Sequence, residues 1–363
     1  MKILFVVLDG NISGGNNIAT VMLRAAAKQG FDIELLSPTP GELTQALEAE
    51  GIKVHLVPLG RSFRFDRAIR LANHLKNSQI DLVHSHTTLG NEILCRLACG
   101  LSSIPIICHQ HDPTDFYNQN PLISTYQKWL DRTTSSLTHN LVAVSENRQE
   151  AMVSKRGYAA SKVKTIYNGI NLEKFSSQTQ RESVRQAWHL APDETAIGLV
   201  ARIEDPKGHA TLVEAAPLVL EKYPKSKFFF IGDDRWPNQP YLAKYRQRLS
   251  DLGISDRFVF LGFSSEVHNL IQGLDIVTLP SWWEGHPLIV LEALASRKSV
   301  IASAVGGVPE IILHEETGLL VPPKNPAALA QEICRLIAEP ELRSQLGEAG
   351  CQRVRQRFDE TDM

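Results

Sequence analysis

The sequence lacks several features that would point to particular classes of protein. No stretch approaches the roughly 20 consecutive apolar residues that a membrane-spanning helix needs. The formal net charge is -2, without the basic excess that is typical of nucleic-acid-binding proteins. The 5 cysteines are odd in number and form no Cys-x-x-Cys pair. This pattern disfavours a disulfide framework and predicts a reducing, cytoplasmic setting.

The chain also begins without the pattern of a secretion signal. Residues 3–8 are apolar, but Asp9 follows at once and no small-residue cleavage site is present. We therefore expect this segment to be a buried strand.

Short apolar runs alternate with helical patterns along almost the whole chain, which predicts parallel sheets covered on both faces. Strands are predicted at residues 3–8, 32–36, 54–57, 82–84, 106–109, 140–144 and 163–166, and then at 196–201, 227–231, 258–261, 276–279, 300–303 and 318–321. Helices are predicted between them, for example at 18–29 and 65–77.

The polar segment 172–186 interrupts this alternation and is predicted to be a linker. At roughly 150 residues per domain, a chain of 363 residues is long enough for two domains. We predict an α/β fold of two Rossmann-like, doubly wound parallel-sheet domains over residues 1–175 and 187–350, facing a central cleft. A ligand is expected in that cleft, at the carboxyl ends of the strands.

The segment 279–294 contains two acids whose positions suggest ligand binding. Glu284 follows a predicted strand, Pro287 is suited to the first position of a helix, and Glu292 lies within that apolar helix. A buried carboxylate needs a partner, and the vicinal hydroxyls of a sugar can supply one. The spacing alone also fits an ordinary loop acid and an acid on an exposed helix edge.

Two further segments have features of an anion site. Arg202 and Lys207 follow a predicted strand, and cations placed there would stabilise a departing diphosphate, although solvated surface cations fit the same pattern. Gly14 and Gly15 follow the first strand, where glycines allow a ligand to approach the backbone closely. The segment is not Gly-x-Gly-x-x-Gly, so a dinucleotide fingerprint is unsupported.

Four histidines occur in two pairs near predicted strand ends: His84 with His86, and His109 with His111. The two pairs could form a metal cluster, but no carboxylate or cysteine ligand pattern accompanies them, and we predict no metal site. Hydrogen-bonded histidines at strand ends and a functional histidine without a metal are the remaining interpretations.

Together these segments resemble retaining glycosyltransferase family 4, which has the GT-B fold. Glu284 and Glu292 match the Glu-x7-Glu motif of that family, and the flanking segments 275–281, 300–310 and 317–322 resemble it as well. Residues 198–208 resemble its diphosphate site, with Ala201 where the family often has glycine, and 108–112 resemble its strand-end histidine segment. Asn16 and the residue after it depart from the usual continuation of the glycine turn.

The resemblance implies a role for each of these residues. Glu284 would contact hydroxyls of the donor sugar, Glu292 would bind the ribose, and Arg202 and Lys207 would hold the diphosphate. His111 would face the reacting sugar and the acceptor. The remaining donor-binding positions implied by the resemblance are Gly14, Gly15, Gly285, His286, Pro287 and Leu288.

The resemblance also implies the reaction. The enzyme would move a hexosyl unit, with retention and without a metal or cofactor, from a nucleotide-diphosphate sugar such as a UDP- or GDP-sugar to a hydroxyl acceptor. The acceptor would be a carbohydrate or glycolipid bound by the N-terminal domain, in the synthesis of a surface polysaccharide or glycolipid. A helix at 353–363 would pack back on that domain. A GT-B-fold nucleotide-sugar epimerase and a non-catalytic nucleotide-sugar-binding protein remain alternatives.

A basic stretch raises the question of membrane contact. Arg61, Arg64, Arg67 and Arg70 recur every three residues and could contact a lipid headgroup or an anionic acceptor at the inner membrane face. A solvated helix face fits the same residues, because a period of three drifts around a 3.6-residue helix.

Overall fold

The computed structural model describes residues 1–59, 65–111, 121–176 and 180–363. The chain divides into two compact units, Met1–Asn168 and Gly169–Met363. The strands are β1 Lys2–Val7, β2 Asp32–Ser37, β3 Lys53–Leu56, β4 Leu82–His86, β5 Ile106–Gln110, β6 Asn140–Ala143, β7 Val163–Thr165, β8 Thr195–Val200, β9 Ser226–Ile231, β10 Phe258–Gly262, β11 Ile276–Leu279, β12 Ser299–Ser303 and β13 Leu319–Val321.

Helices precede or follow nearly every strand. They are α1 Gly14–Lys28, α2 Glu42–Ala49, α3 Phe65–Asn77, α4 Leu89–Ser102, α5 Pro121–Thr134, α6 Glu146–Ser154, α7 Leu172–Ser176, α8 Arg181–Ala187, α9 His209–Lys222, α10 Pro240–Asp251, α11 Val267–Gly273, α12 Leu288–Ala295, α13 Val308–Ile311, α14 Pro326–Ala338 and α15 Pro340–Arg357. Across the described ranges, no helix is long and apolar enough to cross a membrane.

The N-terminal unit contains a 7-stranded parallel sheet in the order β3-β2-β1-β4-β5-β6-β7. Its core lies on both faces of the sheet, so β1 is buried along almost its whole length. The strand order reverses between β1 and β4. In open α/β sheets a ligand binds beside the carboxyl ends of the strands at such a reversal.

The C-terminal unit repeats this plan with a 6-stranded parallel sheet in the order β10-β9-β8-β11-β12-β13. The order reverses between β8 and β11. The segment with Arg202 and Lys207 follows β8, and the segment with Glu284 follows β11. The topology therefore places these candidate residues beyond the two strands that flank the reversal.

Each predicted strand is present, with bounds that shift by about two residues at most. Three local predictions are wrong. Helix α1 begins at Gly14 and not at residue 18, because Ser13 caps it by accepting a hydrogen bond from the backbone N–H of Asn16 at 3.4 Å. The predicted linker contains α7 and α8, while residues 177–179 of it lie outside the described residues. Pro287 caps α12 and does not begin it.

The end of the chain also differs from the predicted separate helix at 353–363. Helix α15 runs without a break from Pro340 to Arg357, and a short 3-10 turn follows at Glu360–Asp362. Asp359 forms a bridge with Ile170 at the start of the same unit. The predicted packing of this segment on the N-terminal domain stays a prediction.

Candidate functional site

A lysine and a glutamate that are 77 residues apart in the sequence meet in the C-terminal unit. The Glu284 side chain is buried, and Lys207 Nζ donates to its two carboxylate oxygens at 2.8 and 3.1 Å. The hydroxyl of Ser281 donates to the first of these oxygens at 2.8 Å. Two donors thus fix the orientation of the Glu284 carboxylate.

The backbone explains why the two loops lie so close together. Lys207 ends the 3-10 turn Asp205–Lys207, and Gly208 follows with φ 79°, a left-handed conformation that favours glycine. A Cβ on Gly208 would lie 2.0 Å from the carbonyl oxygen of Pro280. The backbone N–H of Trp282 donates to the Pro206 carbonyl at 2.8 Å, so the loops after β8 and β11 are bonded directly.

A third loop, the one after β12, contacts the backbone at Glu284. Gly306 has φ 53°, and a Cβ on it would lie 1.8 Å from the Glu284 carbonyl oxygen. The N–H of Gly307 donates to the Gly285 carbonyl at 2.9 Å. A larger side chain at Gly306 would therefore displace the segment that carries Glu284.

Glu292 lies on α12 in a mostly apolar setting. Burial raises the pKa of its carboxyl to about 7, and Lys174 on α7 lowers it by a smaller amount. The carboxyl is therefore poised between its neutral and charged forms near pH 7. Hydroxyl donors from a ligand would stabilise the charged form.

The structure does not give Arg202 the same partner as Lys207. The guanidinium of Arg202 forms an ion pair with Glu204 at 3.0 Å, and its side chain is 55% exposed. The preceding residue, Ala201, lies against Gly232: a Cβ on Gly232 would be 2.0 Å from the Ala201 carbonyl oxygen. Arg202 is thus near the strand end as predicted, but its exposed side chain is turned toward its own loop.

The residues between Glu284 and Glu292 differ from one another in their surroundings. His286 is buried against the ring of Phe358, with ring centroids 5.3 Å apart, and burial lowers the pKa of its imidazole to about 3. It is therefore neutral at physiological pH. Gly285 contributes its carbonyl to the Gly307 contact, Pro287 caps α12, and Leu288 is the first residue of that helix.

In the N-terminal unit the structure brings Gly15 and His111 together. A Cβ on Gly15 would lie 3.3 Å from the His111 ring, which is closer than an ordinary contact. Gly14 and Gly15 lie in the first turn of α1, so the backbone N–H groups of that turn lie beside the imidazole of His111. The buried amide of Asn16 donates to the Asp9 carbonyl at 3.1 Å, which fixes the loop before the helix.

The four histidines of the sequence analysis form one contiguous group. His86 and His111 are 2.8 Å apart between ring nitrogens, and the rings of His109 and His111 stack with centroids 4.4 Å apart. Burial lowers the pKa of His84 to about 4 and that of His111 to about 3. His84, His86 and His109 have ring nitrogens within 4.8 Å of one another and are the group, within the described ranges, that could hold a metal ion. The prediction of no metal stays a prediction.

Sequence reasoning gave no role to Ser281 or Gly306. Ser281 stands three residues before Glu284, a spacing at which a hydroxyl can reach a carboxylate across a turn, and this is the signal that could have identified it. Gly306 lies in a segment that carried the family resemblance, but its contact with the backbone at Glu284 depends on a left-handed conformation that the sequence does not display.

Two parallel α/β units, each with candidate residues beyond the strands at its topological reversal, define the GT-B class of fold. In a comparison of structures, HepE of Anabaena, solved in complex with UDP and glucose, has a TM-score of 0.88 and 22% sequence identity, over 100% of this chain and 96% of that protein. At this identity the likeness shows the fold alone.

Sequence comparisons define the family. A model described as glycosyltransferase family 4 matches residues 12–174, and one described as glycosyl transferases group 1 matches residues 180–353. Together the two models cover nearly the whole chain. The chain therefore belongs to the family 4 glycosyltransferases, and it is an enzyme.

Named relatives agree with this family. UDP-Gal:alpha-D-GlcNAc-diphosphoundecaprenol alpha-1,3-galactosyltransferase of Escherichia coli is 26% identical over 330 residues, 88% of this chain and 84% of that protein. D-inositol 3-phosphate glycosyltransferase of Corynebacterium glutamicum is 27% identical over 376 residues, 94% of this chain and 88% of that protein. The alignments extend over most of both relatives.

Proposed function

We propose that this enzyme transfers a hexosyl unit from a nucleotide-diphosphate sugar to a hydroxyl of a carbohydrate or glycolipid, with retention of anomeric configuration. The reaction is proposed to need no metal and no cofactor. It would serve the synthesis of a surface polysaccharide or glycolipid on the cytoplasmic side of the membrane, with peripheral membrane contact through the N-terminal domain. The acceptor class is supported by the E. coli relative, whose name specifies a lipid-diphosphate-linked sugar.

The observation that carries the proposal is the bonded pair of Lys207 and Glu284. Lys207 has three N–H donors, and two of them reach Glu284, so a third can be directed to a phosphate oxygen. As the glycosidic bond breaks, negative charge develops on the leaving diphosphate, and a preorganised cation stabilises it. Glu284, held by Lys207 and Ser281, can accept hydrogen bonds from the hydroxyls of the sugar.

Glu292 is proposed to bind the ribose of the donor. Two vicinal hydroxyls can donate to one carboxylate, and such donors favour its charged form. Because the pKa of the free carboxyl is raised to about 7, part of it is protonated near neutral pH, and donor binding would release that proton. Donor binding would thus be accompanied by ionisation of Glu292 near neutral pH.

The proposed role of His111 is to position the reacting sugar or the acceptor hydroxyl. Its imidazole is neutral because burial lowers the pKa to about 3, so it can donate or accept one hydrogen bond without carrying charge. Gly15 leaves just enough space beside the ring. Arg202 is proposed to turn from Glu204 toward the diphosphate when the donor binds.

The test begins with a panel of nucleotide sugars, because a bound donor raises the Tm by mass action. The stabilising donor is then incubated with sugar-diphosphate-lipid acceptors, and the anomeric configuration of the product is read by NMR. An inverted product would contradict retention, and loss of activity after chelation, with recovery on adding a divalent metal, would contradict metal independence.

The same assay separates the alternative functions. Donor incubated without acceptor should remain unchanged or hydrolyse slowly, whereas an epimerase would give an isomerised nucleotide sugar. A protein that binds the donor but yields neither hydrolysis nor transfer with any acceptor would be a binding protein, and the proposal would be wrong.

A further inference from the structure

A cavity of about 210 Å³ opens at the amino ends of β11 and β12 in the C-terminal unit. Four bases from α8, from the turn before β12 and from α15 line this basic cavity: Arg181, Arg297, Lys298 and Arg343. Glu284 follows the carboxyl end of β11. Because the strands are parallel, the basic cavity lies at the opposite edge of the sheet from the candidate functional site.

The acids beside the basic cavity do not balance its bases. Among the described residues that line it, Asp275 is the one acid. Its carboxylate is shared, because Arg181 donates to one oxygen at 2.6 Å and Arg185 on α8 donates to the other at 2.9 Å. Glu348 on α15 pairs with Arg297 at 2.7 Å. Two acids thus face three guanidinium groups, and the remaining two bases of the cavity add to this excess.

Those two bases, Lys298 and Arg343, contact neutral oxygens. The ammonium of Lys298 donates to the backbone carbonyls of Gln272 and Leu274 at 2.8 and 3.0 Å. The guanidinium of Arg343 donates to the carbonyl of Leu336 at 3.3 Å. Within the ranges that the structure describes, neither base forms an ion pair with an acid. Their positive charges are therefore not compensated by the protein.

The surroundings of Lys298 show the effect of this excess. The residue is 9% exposed, and burial is the main cause that lowers the pKa of its ammonium to about 7. The neighbouring charges of Arg181, Arg185 and Arg343 lower it further, while Asp275 acts in the opposite direction. A buried cation among other cations is unfavourable, and an anion placed in the cavity would stabilise the whole group.

We propose that the basic cavity binds a phosphate group, either as free inorganic phosphate or as a phosphate monoester. A guanidinium matches a phosphate with two parallel hydrogen bonds, and a lysine adds a point charge. The hydroxyl of Ser344 lines the same cavity and supplies a neutral donor. The cavity holds several water molecules, which is space enough for a tetrahedral oxyanion and part of an organic group.

The experiment is isothermal titration of the full chain with inorganic phosphate and with glycerol phosphate, each against chloride of equal ionic strength. We expect saturable binding of at least one of the two and none of chloride. Tighter binding of inorganic phosphate identifies the free anion as the occupant, and tighter binding of glycerol phosphate identifies a monoester. Absence of saturable binding for both would overturn the proposal.

A double variant tests the bases of the cavity. Arg297→Gln/Arg343→Gln should bind about tenfold or more weakly, because hydrogen bonds to a charged group are lost. The matched control is Arg248→Gln/Arg257→Gln, which removes two paired bases of the same unit that do not line the cavity. An unchanged Tm without ligand verifies the fold of each variant. Equal weakening by the two double variants would overturn the proposal.

Lys207→Ala separates this site from the proposed donor site, so the inference does not depend on the proposed transfer reaction. Lys207 contacts Glu284 and does not line the basic cavity. The variant should therefore bind phosphate as the parent does. Loss of phosphate binding in this variant would mean that phosphate enters the candidate functional site, and it would contradict the proposal.

Sulfate tests the part of Lys298, because this tetrahedral dianion does not itself titrate near pH 8. With a pKa of about 7 the ammonium is mostly deprotonated at that pH, and a bound dianion favours its charged form. Sulfate binding at pH 8 should therefore take up roughly one proton, measured from the binding heat in buffers of different ionisation enthalpy. Lys298→Met should abolish the uptake. Sulfate binding by the parent without proton uptake would overturn the assignment of this cavity.

Discussion

The two units bury their charges in different ways. In the N-terminal unit the buried acids are enclosed by donors of the same unit. Asp131 is bonded to Arg96 and Arg156, and Glu92 accepts from Arg96 and from the amide of Gln110 at 2.9 and 3.0 Å. In the C-terminal unit Glu284 meets a lysine and a hydroxyl at a strand end, and burial raises the pKa of Glu292 to about 7.

The difference separates charges that hold a fold from charges that can bind a ligand. Enclosed carboxylates have their hydrogen-bonding capacity met by the protein, and removing one partner leaves a buried charge unpaired. Carboxylates at the carboxyl edge of a sheet keep capacity for a ligand, and a raised pKa is typical of such sites. We therefore expect changes in the first group to affect stability and changes in the second to affect catalysis.

The largest expected effect is the loss of stability on changing Asp131→Asn. The amide keeps the shape but leaves the guanidinium groups of Arg96 and Arg156 without their shared negative charge, at a cost of about 3 kcal/mol or more in the free energy of unfolding. Urea unfolding measures the change. The control is Asp66→Asn in the exposed ion pair with Arg70, expected to cost less than about 1 kcal/mol. Equal effects at both sites would contradict the cost of leaving the buried Arg96 and Arg156 without their shared partner.

Lys207→Ala should have the next largest effect, on catalysis. Loss of one preorganised charge at the leaving group is expected to lower kcat roughly 100-fold to 1,000-fold, and the donor KM should change less, because the charge develops in the transition state. The matched control is Lys244→Ala, a nearby cation that is 54% exposed and pairs with Asp205 at 2.7 Å. A rise in the donor KM with unchanged kcat would show that Lys207 only binds the donor.

Glu292→Gln should make stability less sensitive to pH. Below pH 4.5 the parent carboxyl is protonated in both the folded and the unfolded state. Above pH 7 it is ionised in both states, and the folded state then has the full free-energy cost of burying a charged carboxylate. The parent should thus lose up to roughly 3 kcal/mol relative to the variant between about pH 4.5 and pH 8.

The control for that titration is Glu50→Gln. Arg24 lowers the pKa of Glu50, so its ionised form stabilises the folded state and the variant should be slightly less stable than the parent at pH 8. Urea unfolding at several pH values gives both curves. A Glu292 variant that tracks the parent at every pH would contradict the cost of burying this carboxyl.

Gly15→Ala should have the smallest effect. The new Cβ would lie 3.3 Å from the His111 ring and move it by a few tenths of an ångström. Activity should fall about threefold to tenfold, since a displacement of about 1 Å is what costs roughly 100-fold. Stability should change by less than about 1 kcal/mol, because alanine favours the helix.

The control for this change is Gly90→Ala. Gly90 is the second residue of α4, as Gly15 is of α1, but a Cβ there has nothing within 4 Å. Its activity should match that of the parent. If both variants were equally active, the contact between Gly15 and His111 would have no part in the reaction.

The sequence by itself determined the architecture and the candidate segments. Apolar runs of the length of strands, separated by helical patterns, located each strand to within about two residues, because a buried parallel strand must be apolar on both faces. The same patterns placed Glu284 and Lys207 after strands. The beginning of α1 was missed because the serine cap lies before two glycines, which suggested a loop.

Only the tertiary structure decided which of these segments meet. The bond between Lys207 and Glu284 and the contact between Gly15 and His111 join residues far apart in the sequence, through strand order and left-handed glycines. It also decided the orientation of α5. An amphipathic pattern alone predicts that the apolar side chains face the core, but Asp131 is buried against Arg96 and Arg156, while Leu122 and Trp129 are exposed. A buried carboxylate is costly unless it is paired, and only the tertiary structure brings these two bases, from other elements, to it.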